Sequence, residues 1–163
     1  MSSSVIQPNA NVSLRRKLLW WLPTLVWLCL QAFFSTDTFS AENTATILWR
    51  IAHALDPGIS THQFEVLHFL VRKSANFCTY GVLGTLAFFS WRATLAGAAL
   101  WSFRWSALAV LAVAVAGSLD EFHQAFVPSR TASALDVLLD TIGGICFQIL
   151  LAVMIRRRVR QKS

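Results

Sequence analysis

Charge is scarce in this sequence, and acid scarcer still. Of 163 residues 8 are Asp or Glu and 14 are Lys or Arg, so 13% are charged against 55% apolar. That balance excludes an ordinary small soluble domain, of which about a quarter is charged. Cysteine is also sparse. Cys29, Cys78 and Cys146 fall in three different apolar segments. With no C-x-x-C spacing they form neither a disulfide framework nor a zinc motif, and they read as small buried hydrophobes. There is no glycine-rich phosphate loop and no internal repeat, and at this length one domain is expected. The basic residues do not line a groove as nucleic-acid binding needs, so no nucleic-acid partner is expected.

What is present is long apolar segments and many aromatics: seven Trp and twelve Phe, a pattern of bilayer proteins with interfacial anchors. Residues 1–17 form a polar then basic tail ending in Arg15, Arg16 and Lys17. A first span is expected over Leu18–Phe34, about 17 residues and the lower end of what crosses a bilayer. A cleaved signal peptide is the alternative, but no small-x-small site follows it, which favours an anchor. In the loop 35–65, Ile47, Leu48, Ile51 and Leu55 recur at helical spacing, predicting an interfacial amphipathic helix that ends at Asp56-Pro57-Gly58. A second span is expected from Val66 to Trp91. Its Gly81 and Gly84 would let a neighbouring helix approach closely. A third runs from Trp105 to Leu119, continues as helix toward Phe126 and stops at Pro128. A fourth covers Ala134–Ile155, before a basic tail, 156–163.

The fold class expected is therefore all-α: a polytopic domain over 18–155 with four transmembrane helices. Ten of the 14 basic residues lie in the two tails and the 92–104 turn, and all eight carboxylates lie in or beside the other two loops. The positive-inside rule then puts both termini in the cytoplasm.

The stretch Gly117–Gly144 concentrates the polar groups. Asp120, Glu121, His123, Gln124, Arg130, Asp136 and Asp140 stand there between apolar helices. Lys73, Asn76 and Tyr80 share one face of the second span with Gly84, and Asp136, Asp140, Gly143 and Phe147 share one stripe of the fourth. Arg72, Lys73 and Arg130 nearly balance Asp120, Glu121, Asp136 and Asp140. Ionisable groups at membrane depth are expensive and face a partner or a cavity. The plainer reading is a paired cluster that locks three helices in register.

These residues carry a resemblance. SLDEFHQAFVPSRTASALDVLLDTIGG resembles the Asp-Glu-x-x-Gln, Arg, Asp and Asp-x-x-Gly signature of the VanZ-like family. RKSANFCTYGVLG resembles its Arg-Lys-x-x-His-x-x-x-Tyr-x-x-Leu-Gly signature, and FFSTDTFSAENT the segment after its first span. The resemblance implies site residues Arg72, Lys73, Tyr80, Asp120, Glu121, Gln124, Arg130, Asp136 and Asp140. Asn76 stands where the family commonly has His, which weakens any proton relay there, and Ser129 stands where Gly is common. The family's namesake is associated with resistance to the glycopeptide teicoplanin. The resemblance thus implies a role at the bacterial cell envelope, in the cytoplasmic (inner) membrane, and no defined reaction.

Other patterns weigh less. His62, Glu65 and His68 are not spaced as two zinc ligands one helical turn apart, so no metal is expected, nor any cofactor, and His53 and His62 read as loop residues. His123 with Asp120 and a nearby Ser or Thr matches a nucleophilic triad in residue types only. The run RRRVRQK serves as a topology signal that also suits anionic lipid headgroups.

Three functions remain in play. The first is binding of an envelope lipid or lipid-linked cell-wall intermediate, with the cations on phosphate and the acids and Gln124 on sugar or amine. The second is an intramembrane hydrolase or transferase in which Asp120, Glu121 or Asp136 acts as base or nucleophile. The third, a small transporter subunit, lacks the expected repeat or broken helices.

Overall fold

The computed structural model describes residues 14–36, 41–95, 99–127 and 132–161, the side chains of 41–43 apart. Five helices follow in order: α1 (Leu14–Phe34), α2 (Ala41–Leu55), α3 (Thr61–Thr94), α4 (Phe103–Gln124) and α5 (Ala134–Arg160). No strand occurs among the described residues. α1, α4 and α5 are each long and apolar enough to cross a membrane. Away from its ends such a helix pairs its backbone N–H and C=O groups within itself, which the bilayer interior demands. α1 continues through Pro23, and α5 continues past the fourth expected span into the basic run.

α3 is the longest helix, 34 residues, or about 51 Å at roughly 1.5 Å per residue. Glu65, His68, Arg72, Lys73 and Asn76 interrupt its apolar character, and it does not join the three apolar spans. It is nevertheless the hub, packing against every other helix. Its start is fixed by a capping box: the Ser60 side chain accepts from the Gln63 N–H while the Gln63 side chain accepts from the Ser60 N–H. α2 folds back along the first turns of α3, with Trp49 edge-on to Phe64 at 4.8 Å and Thr44 Oγ1 3.3 Å from His68 Nε2.

The other four helices alternate in direction. Trp21 meets Thr94 while Trp27 meets Thr79, so α1 and α3 are antiparallel. Phe88 packs on Trp105, while Tyr80 lies near Gly117, so α3 and α4 are antiparallel too. α5 runs parallel to α3, from the Lys73–Asp136 pair to the Gln148–Gly84 hydrogen bond.

The bundle is inside-out by the standard of a soluble protein. Leu18, Leu19, Leu22, Leu111, Val115, Ile149 and Leu150 all point outward, while Thr24, Ser90, Gln124, Asp140 and Gln148 are buried. In hydrocarbon an outward leucine has lost nothing, and small or polar contacts hold the helices together. The Ser90 hydroxyl donates to the Trp20 carbonyl (2.8 Å) and accepts from Thr24 (2.9 Å), and Gln148 Nε2 donates to the Gly84 carbonyl (2.8 Å).

The same physics corrects the reading of the cysteines. All three are free and exposed on the bundle, not buried in it. An apolar segment predicts burial only when water is the solvent, and here the outward face is equally apolar. His53 and His62 are also misread as loop residues: they stand on α2 and in the first turn of α3, both exposed. The close approach expected of the glycines is present. A Cβ on Gly84 would lie 3.3 Å from Val113 and 3.5 Å from the Gly144 Cα.

Candidate functional site

Four helix segments meet at one end of the bundle, where α1 and α4 finish and α5 begins. α1 contributes Gln31, with Ser35 just past its end, α4 contributes Asp120 and Gln124, and α5 contributes Asp136 from its first turn. α3 supplies the longest wall, from Glu65 through His68, Arg72, Lys73 and Asn76 to Tyr80. Between them lies an open cavity of about 590 Å³. The helical spacing noted in the sequence is the cause. Residues three, four or seven apart present to one side, so α3 turns a single polar stripe inward.

Of the ten residues expected at the site, Arg72, Lys73, Asn76, Tyr80, Asp120, Gln124 and Asp136 line this cavity. Lys73 and Asp136 form an ion pair across α3 and α5, both partly buried, and the Lys73 ammonium also lies 5.5 Å from the Phe69 ring centroid. Gln124 Nε2 donates to Asp120 Oδ2 at 2.8 Å and lies 3.3 Å from Ser35 Oγ, so one amide holds the Asp120 carboxylate and ties α4 to α1. The buried Tyr80 hydroxyl feels the carboxylates of Asp120, Asp140 and Glu121, and Asp140 in turn feels Asp136, Glu121, Asp120 and Lys73. The acids and the lysine are one electrostatic unit.

Two expected residues stand behind the wall. Glu121 is buried, and its Oε2 accepts from the Ser133 N–H at 2.6 Å, at the residue that caps α5. A carboxylate there satisfies an orphan donor and complements the positive end of the helix. Glu121→Ala is therefore expected to lower stability by about 1 kcal/mol, as losses of helix N-cap contacts do. Glu121→Gln keeps an acceptor oxygen and should keep most of that stability. Thermal melting of the two detergent-solubilised variants checks this, and equal melting would show that the contact carries nothing. Asp140, 2% exposed, lies against Gly117, where an added Cβ would come 3.4 Å from its Oδ2. Its Oδ1 has no hydrogen-bond partner. Arg130, the tenth residue, lies outside the described residues, as does Ser129.

His62, Glu65 and His68 do not converge. His62 is exposed, His68 stacks on Phe64 at 5.9 Å, and Glu65 lines the cavity. Among the described residues no group of three His, Cys, Asp or Glu could hold a metal ion. Ser118 does not complete a triad with His123, since its hydroxyl donates to the Ala114 carbonyl at 2.8 Å.

Sequence reasoning missed Gln31, Ser35, Glu65 and His68. The signal for the first two was present: Gln31 and Ser35 are the polar pair at i, i+4 near the end of α1, on the turn that faces the cavity. Both amide atoms of Gln31 are buried without a hydrogen-bond partner.

A helical bundle with apolar outer sides, three helices long and apolar enough to cross a membrane, and a polar cavity at one end defines a membrane-type protein. Its family follows from comparison with known proteins: the VanZ/LLP1 family model matches residues 20–156, and the chain belongs to the VanZ/LLP1 family. No curated protein and no solved structure matches the chain.

Proposed function

We propose that this chain spans the bacterial cytoplasmic membrane four times, through α1, α3, α4 and α5, and holds the headgroup of an envelope lipid or lipid-linked cell-wall intermediate in its polar cavity. The observation that carries this reading is convergence. Four helices that are otherwise apolar outside turn Arg72, Lys73, Asn76, Tyr80, Asp120, Gln124 and Asp136 onto one open space. The alternation of helix directions supports four spans, with α3 kept in the bilayer by neighbours that cover its polar stripe. The distribution of basic residues favours cytoplasmic termini and an outward-facing cavity. Arg72 and Lys73 suit a phosphate, while Asp120, Gln124 and Asn76 suit the hydroxyls or amine of an attached sugar or base. The role in glycopeptide (teicoplanin) resistance associated with the family's namesake fits a protein that meets cell-wall lipids.

A second reading is an intramembrane hydrolase or transferase, and the geometry narrows it to Asp120. Glu121 is engaged at the α5 cap and Asp136 is paired with Lys73, whereas Asp120 faces the cavity beside the neutral Gln124 and Tyr80.

Native mass spectrometry of wild type and Arg72→Gln, purified gently from the same membranes, tests the first reading. Wild type should carry a discrete lipid adduct, and folded Arg72→Gln about tenfold less of it, for loss of a charge-assisted contact. Equal retention by well-folded Arg72→Gln and Arg130→Gln proteins overturns it. Turnover of a labelled lipid phosphate by wild type, lost in Asp120→Asn, would establish the second reading instead.

A further inference from the structure

A second cavity, of about 530 Å³, lies between α1 and α4. It shares Gln31, Tyr80 and Asp120 with the polar cavity, so the two meet at those three side chains. Beyond that junction its walls turn apolar, with Leu28 on α1, Leu83 on α3 and Val115 and Leu119 on α4. α1 packs chiefly along α3, which leaves the seam between α1 and α4 open on the side of the bundle. Val115 and Leu119 are 51% and 63% exposed within this seam.

We propose that the α1–α4 groove holds one hydrocarbon chain of the lipid whose head occupies the polar cavity, and that the lipid reaches the site sideways from the bilayer through this seam. The inference rests on the headgroup reading above and adds the second half of the ligand. Three observations converge on it. The groove runs from the shared Gln31 down α1 to Trp21, roughly 15 Å at about 1.5 Å per residue. That matches one leaflet, half of a hydrocarbon core about 30 Å thick. The amide of Gln31, with both atoms buried and unpartnered, stands at the junction. There its Nε2 can donate to the ester, phosphate or ether oxygens that link a lipid's head to its tail, while its Oε1 can accept from a hydroxyl or amine of the head. Buried polar atoms are otherwise hydrogen-bonded as a rule. Finally, the change from polar to apolar walls follows the order of an amphiphile, head end first. Tail contacts add affinity without distinguishing among lipids, and head contacts supply selectivity.

The test uses the full chain expressed in bacterial membranes, with the lipids of those membranes as probe and native mass adducts as the readout. Val115→Trp fills the groove from an exposed position and leaves the polar cavity intact. Ile142→Trp is its control, on α5 at the same depth (Gly117 and Asp140 are neighbours two residues away on each helix) and 42% exposed. Val115→Trp should retain about tenfold less lipid at unchanged melting temperature, and Ile142→Trp should retain as much as wild type. If Val115→Trp melts lower, Leu119→Trp takes its place. Wild-type retention in Val115→Trp with loss in Arg72→Gln would overturn the groove and leave the headgroup reading standing. Equal loss in Ile142→Trp would overturn it as well. No adduct on wild type would remove both readings together.

Discussion

Gly143→Leu is expected to yield no folded protein, and Gly143→Ala one that melts well below wild type. At this point α5 crosses α3 with backbone against backbone. A Cβ on Gly143 would run into the Phe77 carbonyl oxygen and lie 3.1 Å from the Phe77 carbonyl carbon and 3.2 Å from its Cα. A carbonyl inside a helix cannot swing away, so the two helices must part. Parting them also draws Lys73 from Asp136 and Gln148 from Gly84. Overpacking of a core by a methyl group costs about 1–3 kcal/mol, and a rigid backbone contact places Gly143→Ala at the upper end. The four carbons of leucine take the loss beyond what a bundle of marginal stability withstands. Two other glycines calibrate the claim. At Gly81 the added Cβ meets the side-chain ring of Phe147, which can rotate, so Gly81→Ala should lose less. At Gly58, in the exposed turn before α3, the nearest atom is Asp56 Oδ1 at 3.4 Å, and Gly58→Ala should be near neutral. Thermal melting followed by size-exclusion chromatography in detergent ranks the three, and the predicted order is Gly143, then Gly81, then Gly58.

The second large effect concerns the Lys73–Asp136 pair, and it is unequal for the two partners. Lys73→Met leaves Asp136, its side chain 18% exposed, without its cation. Removing one member of a buried pair is destabilising by several kcal/mol at full burial, and this partly buried pair should lose about 2 kcal/mol on the same scale. Asp136→Asn leaves a lysine 29% exposed that keeps the face of Phe69 and a long stem with which to reach water. Its loss should be nearer 1 kcal/mol, partly from the negative charge removed at the first turn of α5. The double variant Lys73→Met/Asp136→Asn, with no stranded charge, should recover much of the difference, giving a coupling of about 1–3 kcal/mol. All three variants should lose retained lipid, including the double variant that has regained its stability. Melting temperatures and native mass spectra of the four proteins check both halves. Additive losses would mean that the pair contributes nothing as a pair. Lipid retained by the stable double variant would make the pair a helix clamp and no part of the site.

The spacing of polar residues made most of the site legible in the sequence. Lys73, Asn76 and Tyr80 share an inward stripe because a helix repeats every 3.6 residues, and that inference needs no partner helix. What the spacing cannot show is which of two adjacent acids faces the space. Asp120 and Glu121 look equivalent in sequence, yet one lines the cavity and the other holds the start of α5. That division depends on how the chain returns from α4 to α5. Gln31 and Ser35 were hidden for a different reason. Their helix is read as a greasy anchor, and two small polar groups barely alter its hydropathy. The cysteines show the converse limit, since burial inferred from apolarity presumes water outside. The central place of α3 ran against hydropathy altogether. The long helix that falls short of the three apolar spans is the one against which every other helix packs.

The attachment of α1 bears on biogenesis. Of the five helices it leaves the ribosome first, but the surface it docks on, Thr79 to Thr94 of α3, is made dozens of residues later. α1 must therefore wait in the bilayer as a lone helix, which its internally bonded, apolar 21 residues allow. Meanwhile α3, α4 and α5 close on one another through their glycine contacts. The first helix made is then one that cannot dock until a later helix has followed it. α1 is held to α3 by a few polar contacts, each worth about 1 kcal/mol, and it is the helix that forms one wall of the groove.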